Sequence, residues 1–427
     1  PLCVKMAEDE KSTDKNDLQI MKSLVDELYN FRDSYFETHS VEEAGKKQSD
    51  VAQELEKTLK RLQEYEERYK QKAEFLLQKG RCLNVSPDFS AIAEECLSRA
   101  VKLEPTLVEG WNILGEQYWK KGDLTGAKNC FTGALQQSKN KVSLRNLSMV
   151  LRQLPITNNE SHNKQVMESV DMARQAVQLD VTDGTSWYIL GNAYVSLFFT
   201  CGQNPQFSQQ ALSSYAQSEK VDKASSCYPE LHFNRATLFQ YEEMFGSALA
   251  GYSRAASLDP MTELIQNKGR VKARRLRTML SNLSTSALGP CASPQFRSPS
   301  GHVGSLEPKT LSSLSHGNNA GAAALGKVVF SLASEGRMAF TFGMVDSEET
   351  CIVVMVYNTA DSWGVLIGDS VVIPEPHIKR HSITHKDKSF DFRSIRVDSP
   401  LLLIVNGKKQ NIQSQIAVSV SYKPQSE

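Results

Sequence analysis

An eight-residue pattern occurs twice in the chain, at positions 76 residues apart. Trp111–Tyr118 reads W-N-I-L-G-E-Q-Y and Trp187–Tyr194 reads W-Y-I-L-G-N-A-Y, so both match W-x-x-L-G-x-x-Y. Two such matches are very improbable by chance. Self-similarity of this kind indicates a chain built from stacked helical repeats.

The residues after the first copy define the type of repeat. Ala127, Phe131 and Ala134 follow it at the spacing of a tetratricopeptide repeat, which consists of two antiparallel helices. Small residues allow the helices to cross closely, and large aromatic residues fill the gap to the next copy. Similar second-helix endings at other positions of the chain predict five repeats, which start near residues 73, 108, 141, 184 and 229. One hairpin cannot bury its apolar face alone, so we expect residues 73–262 to stack into a superhelix with a concave groove.

The segments that flank the repeats have different compositions. Residues 6–72 predict two amphipathic helices, Asp17–Phe36 and Lys46–Lys79, which pack on the repeats. Residues 281–320 hold ten Ser, four Gly and four Pro, so we expect a flexible linker over 281–323. Residues 324–422 contain short runs of period two separated by turn residues, which predicts an OB-like β-barrel. Behind such a linker, the barrel should fold independently and contact the repeats weakly or not at all.

A basic segment over residues 263–280 lies between the repeats and the linker. Two interpretations of it remain open. It is either a solvated helix end or a functional patch, which is a nuclear-import signal or a contact for phosphates. Its six bases are Lys268, Arg270, Lys272, Arg274, Arg275 and Arg277.

Composition and motifs exclude several classes of protein. The 427 residues carry 49 Lys+Arg and 49 Asp+Glu. This balance argues against a protein whose whole surface attracts nucleic acid or membranes electrostatically. No apolar run is long enough for a transmembrane helix. The polar start shows no secretory signal, and we therefore expect the cysteines to be reduced. We find no catalytic motif or cofactor fingerprint, and therefore expect neither an enzyme nor a bound cofactor.

The histidines and aromatic residues of the barrel suggest two further sites, and both are weak. His377, His381 and His385 are four residues apart but lie among lysines and arginines, so a solvated edge strand is favoured over a metal site. Phe340 and Phe342 alternate along a strand, and we interpret them as core residues rather than a platform for stacking bases. Nucleic-acid contact through the barrel or the basic segment is the alternative interpretation.

The repeat register indicates which side chains face the groove. The first-helix positions on the concave side include amides, aromatic residues and both signs of charge, which suits a short extended peptide of mixed charge. The predicted groove residues are Asn112, Glu116, Arg145, Arg152, Tyr188, Asn192, Glu230 and Phe233.

The chain resembles the family of adaptors that join tetratricopeptide repeats to a C-terminal OB-like domain. The resemblance is carried by Tyr29–Val41, Ser186–Tyr194 and Ser362–Asp369. It implies that Arg152 and Glu230 read the charges of a peptide and that Lys272 and Arg274 face the ribosome.

The resemblance implies two alternative functions. In the first, the adaptor reads the N-terminal peptide of nascent tubulin at the ribosome and, through an mRNA-decay effector, triggers decay of tubulin mRNA. In the second, it is a stress-responsive transcription cofactor that scaffolds a histone acetyltransferase co-activator and associated cofactors in the DNA-damage response. We accordingly expect it in the cytoplasm and the nucleus.

Overall fold

The computed structural model describes residues 2–156, 158–258, 263–286, 306–332 and 338–415. The chain divides into two compact units. The first consists of Pro1–Leu197, Gln209–Leu231 and Ser257–Gln266, and the second of Phe198–Ser208, His232–Ala256 and Asn267–Glu427. No described helix is both long enough and apolar enough to cross a bilayer.

The N-terminal helices of the first unit pack through one apolar stripe. Met21, Val25 and Leu28 are buried against Val51 and Leu62 because they recur on one face of a helix. The predicted helix over 46–79 is wrong as a single element, since it breaks at residues 70–72. These helices are α1 (Leu2–Asp33), α2 (Tyr35–Thr38), a 3₁₀ turn (Val41–Lys46) and α3 (Lys47–Tyr69).

Antiparallel helix pairs follow, and their first helices begin where the sequence predicts repeats. The first helices are α4 (Ala73–Asn84), α6 (Val108–Lys121), α8 (Lys141–Leu151), α10 (Gly184–Thr200) and α12 (Pro229–Tyr241). The second helices are α5 (Ala91–Leu103), α7 (Leu124–Gln137), α9 (Asn159–Leu179), α11 (Pro205–Val221) and α13 (Phe245–Leu258).

The repeated motif has the packing that its spacing predicts. A Cβ on Gly115 would lie 2.6 Å from the Phe131 ring, and one on Gly191 would lie 2.5 Å from the Tyr215 ring. Only glycine permits this approach. The motif tryptophans also behave alike, because each indole N–H donates to the carbonyl six residues upstream, at 2.8 Å in one copy and 2.9 Å in the other.

The basic segment lies within a longer helix than predicted, α14 (Glu263–Ser286), which buries Leu276, Leu280 and Leu283 along one face. The linker prediction is therefore wrong at its start, where residues 281–286 are helical. It is also wrong at its end, because strands form from residue 307 onward. Residues 287–305 of the predicted linker lie outside the described residues.

The strands form the barrel that the sequence predicts. β6 pairs with β3 and β7 pairs with β8, while only two residues separate β6 from β7. The two ends of the path β6-β3-β4-β5-β8-β7 are therefore brought together, which curls the sheet into a barrel. The strands are β1 (Glu307–Lys309), β2 (Gly317–Asn318), β3 (Ala322–Leu332), β4 (Phe340–Val345), β5 (Cys351–Val356), β6 (Ser370–Pro374), β7 (His377–His385), β8 (Lys388–Val397), β9 (Ile404–Val405) and β10 (Lys408–Lys409).

The barrel buries side chains on both faces of its sheet. Phe342, Val354 and Ile395 fill the interior, and Phe340 packs partly buried against them. Val353 and Met355 point to the opposite face and are also buried. The unbroken apolar run of β5 reflects this, because a strand covered on both faces does not alternate.

The turn between α12 and α13 covers part of that outer face, within the second unit. Phe245 lies 5.2 Å from the His381 ring and 6.4 Å from the Phe392 ring, and Tyr241 lies 4.7 Å from Tyr357. The expectation of a barrel in weak or no contact with the repeats is therefore wrong.

A buried carboxylate joins this turn to the barrel. Glu243, whose side chain is 1% exposed, accepts hydrogen bonds from the Tyr357 hydroxyl (2.9 Å) and from Nη1 of Arg396 (3.2 Å). Its other oxygen lies 3.1 Å from Nζ of Lys379. A lone buried charge is costly, so the cations and the hydroxyl of the barrel and the carboxylate of the repeat require one another.

Candidate functional site

Several predicted groove residues of the first unit meet around one tyrosine. Tyr188, on α10, packs against the ring of Tyr228 at 5.1 Å and is hydrogen-bonded to Asn192. Arg152, which ends α8, and Glu230, in the first turn of α12, both act electrostatically on the phenol of Tyr188. The structure thus brings together Arg152, Tyr188, Asn192 and Glu230.

The electrostatics of this cluster follow from its burial. Desolvation raises the pKa of Tyr188, and the negative charge of Glu230 raises it further, whereas Asn192 and Arg152 oppose the shift. Burial lowers the pKa of Arg152, and the nearby phenols of Tyr215 and Tyr188 partly offset this. The Arg152 side chain donates from Nε to the carbonyl of Ser148 at 3.2 Å. A cation held in such a desolvated place interacts more strongly with an anion than it would in water.

A cavity of about 530 Å³ in the same unit includes Tyr228 and Glu230 in its wall. Its apolar lining comes from the N-terminal helices and the ends of repeat helices. Its polar lining includes Arg32, Lys47, Gln48, Glu116 and Lys120. The apolar residues are Phe36, Val51, Ala52, Leu55, Val85, Pro87 and Leu258.

The polar side of the cavity is fixed by a dense hydrogen-bond network. Nζ of Lys120 donates to the main-chain and side-chain oxygens of Asn84 (2.6 and 2.7 Å) and to the carbonyl of Ser86 (2.7 Å). Nδ2 of Asn84 donates to Glu116 at 2.7 Å, and Nδ2 of Asn146 donates to the other oxygen of Glu116 at 3.3 Å. Burial lowers the pKa of Lys120 to about 8. These bonds hold both charged side chains in place.

Other predicted groove residues are engaged within the protein. Asn112 is 4% exposed and its carboxamide oxygen accepts from Oγ of Ser143 at 2.7 Å, so its prediction as a groove-facing contact is wrong. Arg145 is ion-paired with Asp183 at 2.6 Å. Phe233 belongs to the second unit, where its ring lies 5.3 Å from that of Tyr252.

Several residues of the cluster and the cavity are missing from the sequence prediction. Tyr228 lies in a connection between repeats, and Tyr215 lies on a second helix, whereas the register covers first helices only. Phe36, Val51 and Leu55 belong to helices that have no repeat register. Tyr215 had a signal, because it occupies the aromatic position of the second half-repeat.

The bases of the basic segment differ in exposure along α14. Arg270, Arg274 and Arg275 are exposed, and Lys272 is half-buried. Arg277 lies 3.8 Å from Asp387 of the barrel, within the same unit. The side chain of Lys268 lies outside the described residues.

Of the three histidines of β7, only His381 departs from the predicted solvated edge strand, since His377 is exposed and His385 is half-buried. His381 is buried, and its Nε2 is 2.8 Å from Oγ of Ser394. Burial lowers the pKa of His381, and the positive charge of Lys379 lowers it further against the opposing effect of Glu243. Among the described residues, no group of three or more His, Cys, Asp or Glu side chains could hold a metal ion.

Comparison with known proteins agrees with this architecture. A family described as the tetratricopeptide repeat protein 5 OB fold domain matches residues 305–419. Proteins named tetratricopeptide repeat protein 5 from Mus musculus and Homo sapiens are each 54% identical over 440 aligned residues, covering 99% of this chain and 100% of theirs. The chain belongs to the tetratricopeptide repeat protein 5 family.

Membership of this family confirms the predicted fold class, a helical repeat region followed by an OB-fold domain. The chain has the architecture of a repeat-based adaptor. It is also similar in part to a solved tetratricopeptide-repeat protein of Thermus thermophilus, at 18% identity and a TM-score of 0.38, over 48% of this chain and 99% of that one.

Proposed function

We propose that the chain is a non-enzymatic adaptor that reads the N-terminal peptide of nascent tubulin at the ribosome and so triggers decay of tubulin mRNA. The observation that supports this proposal is the cluster at Tyr188. A desolvated guanidinium and a carboxylate act on the same phenol ring there, so a short peptide with charges of both signs has a partner for each.

The choice of ligand rests on the resemblance to the adaptor family together with this chemistry. Arg152 would hold an acidic side chain of the peptide and Glu230 a basic one. The exposed bases of α14 would meet ribosomal phosphates, and the adaptor would then act in the cytoplasm. An effector that promotes mRNA decay completes the scheme as a further partner.

Replacement of Arg152 by alanine tests the proposal directly. We expect Arg152→Ala to weaken binding of a labelled tubulin N-terminal peptide by about 1–3 kcal/mol, because a charge-assisted contact is lost. Fluorescence anisotropy measures the affinity, and Arg99→Ala, at an exposed position on α5, is the matched control. A folded Arg152→Ala variant that binds with wild-type affinity would contradict the proposal.

A second measurement separates the two alternative functions. Cells that carry the Arg152→Ala variant should keep their tubulin mRNA when soluble tubulin is in excess, whereas wild-type cells degrade it. If the mRNA still decays normally and induction of stress-response genes is impaired instead, the cofactor function replaces the tubulin function.

A further inference from the structure

We infer that a pocket beside α14, within the second unit, binds an adenine nucleotide through both its base and its phosphate groups. The pocket is lined by α14, by the end of β3 and by the start of β4. Its volume of about 300 Å³ is at the lower end of the range of about 300–1,000 Å³ that is common for ligand pockets. We call it the α14 pocket, and it shares no lining residue with the 530 Å³ cavity.

Part of the lining of the α14 pocket is cationic. Lys272, Arg274 and Arg275 all line it, and no acidic side chain is among its described lining residues. Arg274 and Arg275 are exposed, so their guanidinium groups are accessible to a ligand. A guanidinium group matches the oxygens of a phosphate and binds them with two parallel hydrogen bonds. The ligand therefore carries a phosphate group.

Another part of the lining is apolar. Leu276, Leu332 and Ala339 contribute carbon surface, and Met279 and Met338 contribute thioether groups. Covering such surface with an apolar or aromatic group is favourable, and thioether sulfur makes favourable contacts with aromatic rings. An inorganic phosphate or a sugar phosphate would leave this part of the pocket uncovered. The ligand therefore has an aromatic body next to its phosphate.

Two carboxamides in the lining favour a heterocyclic base over an alkyl chain. Gln240 of α12 and Asn282 of α14 both line the pocket, and the hydroxyl of Tyr252 donates to Oε1 of Gln240 at 2.8 Å, which holds that carboxamide in place. An alkyl chain would remove these groups from water without bonding them, which is costly. A carboxamide forms two hydrogen bonds with adenine, at N6 and N7. Asn282 is exposed and can therefore turn to make both.

Two sources supply this chemistry, namely a free adenine nucleotide and an adenosine within an RNA strand. A free nucleotide would use Lys272 and Arg274, which are the bases proposed to meet the ribosome, and would compete with ribosome association. That competition rests on the proposed function. Binding of the nucleotide itself does not, and it can be measured without tubulin or ribosomes.

Calorimetric titration of the full chain with adenosine diphosphate tests the inference. Pyrophosphate keeps the charge without the base, adenosine keeps the base without the charge, and guanosine diphosphate keeps both but has a different base edge. We expect adenosine diphosphate to bind at least about tenfold more tightly than each of them, because only it makes the phosphate contacts together with the paired bonds to adenine.

Two substitutions at exposed positions of α14 separate the contributions. Arg274→Ala should weaken adenosine diphosphate about tenfold, since a charge-assisted contact is lost, whereas Arg380→Ala, at an exposed position outside the pocket, should leave it unchanged. Asn282→Leu should weaken adenosine diphosphate about tenfold and abolish the preference over guanosine diphosphate, with the affinity for pyrophosphate unchanged.

A five-residue oligoadenylate distinguishes the two sources. Tighter binding of the oligonucleotide than of adenosine diphosphate assigns the pocket to RNA, and equal or weaker binding assigns it to the free nucleotide.

Three results would overturn the inference. Equal affinity for adenosine diphosphate and pyrophosphate would reduce the site to a charged surface. Equal losses in Arg274→Ala and Arg380→Ala would show that the attraction is not local to the pocket. Binding of decanoate without binding of adenosine diphosphate would assign the pocket to an anionic lipid.

Discussion

Nη1 of Arg396 lies 3.2 Å from the carboxylate of Glu243, which is 153 residues earlier in the chain. The backbone of Glu243 is left-handed, with φ of 63°. Gly122, which ends α6, occupies the equivalent position of its own turn and has φ of 87°. The N–H of Met244 donates to the carbonyl of Phe239, and the N–H of Asp123 donates to the carbonyl of Tyr118. The two turns are therefore equivalent. A glutamate is disfavoured in this conformation, and its bonds to the barrel hold it there.

Breaking the Glu243 ion pair should destabilise the second unit strongly. Arg396→Met leaves the buried carboxylate without its guanidinium partner, which typically costs about 3–5 kcal/mol. Urea denaturation followed by circular dichroism measures the loss. The matched control is Arg380→Met, which breaks the exposed pair with Asp391 and should change stability by about 0–1 kcal/mol. Equal effects of both variants would contradict the structural importance of Glu243.

The motif glycines should not tolerate a methyl group. Gly115→Ala places Cβ 2.6 Å from the Phe131 ring, and overpacking of this kind costs about 1–3 kcal/mol. Gly133→Ala is the control, because its nearest neighbour, on Trp111, would be 3.5 Å away. That change should be neutral or stabilise the helix by up to about 1 kcal/mol. Thermal melts distinguish the two, and a stabilised Gly115→Ala variant would show that the helices do not cross this closely.

Charge reversal on α14 should weaken ribosome association. Lys272→Glu combined with Arg274→Glu removes contacts to phosphates and the counterion release that accompanies them, so binding should weaken and depend less steeply on salt. Co-sedimentation with ribosomes over a salt series measures this. Reversal of the exposed Lys408 and Lys409 on β10 is the control. Wild-type affinity and salt dependence of the α14 variant would show that the helix is not the contact, and its exclusion from the nucleus would support an import signal.

The buried histidine should make the second unit less stable in acid. The folded pKa of His381 is below its ordinary value of about 6.5, so the unfolded chain binds more protons in the interval between them. The stabilisation is therefore present above pH 6.5 and is lost as the pH falls through the folded pKa. Thermal melts between pH 7.5 and 5 should show a smaller decrease for His381→Gln than for the wild type. The decrease should not vanish, because burial also lowers the pKa of His385. An identical decrease in both proteins would contradict this assignment.

Local spacing determined how well the repeats could be predicted. The helix starts at Ala73, Val108 and Gly184 follow from residues only a few positions apart, and close contacts such as Gly115 against Phe131 need no distant partner. The strands β1 and β2 depend on pairing with β3 and β7, and this pairing overrides the Ser- and Gly-rich composition that suggests a linker.

The site was less predictable because register gives only the direction of a side chain. Asn112, for example, is buried, and its carboxamide oxygen accepts from the hydroxyl of Ser143 on the next repeat, a contact that register does not reveal. The contribution of Val51 and Leu55 to the lining of the cavity could not be foreseen, since α3 has no repeat pattern. Glu243 could have been singled out from the sequence, because it replaces the glycine that such a turn favours.

Arrays of helical repeats behave as one-dimensional stacks, in which each copy is held only by its neighbours and the end copies open first. The α12–α13 hairpin is no ordinary end copy, because its turn is bonded to the barrel through Glu243. Amide hydrogen exchange should therefore be slow at α12 and α13, where an ordinary end copy of such a stack would exchange fast.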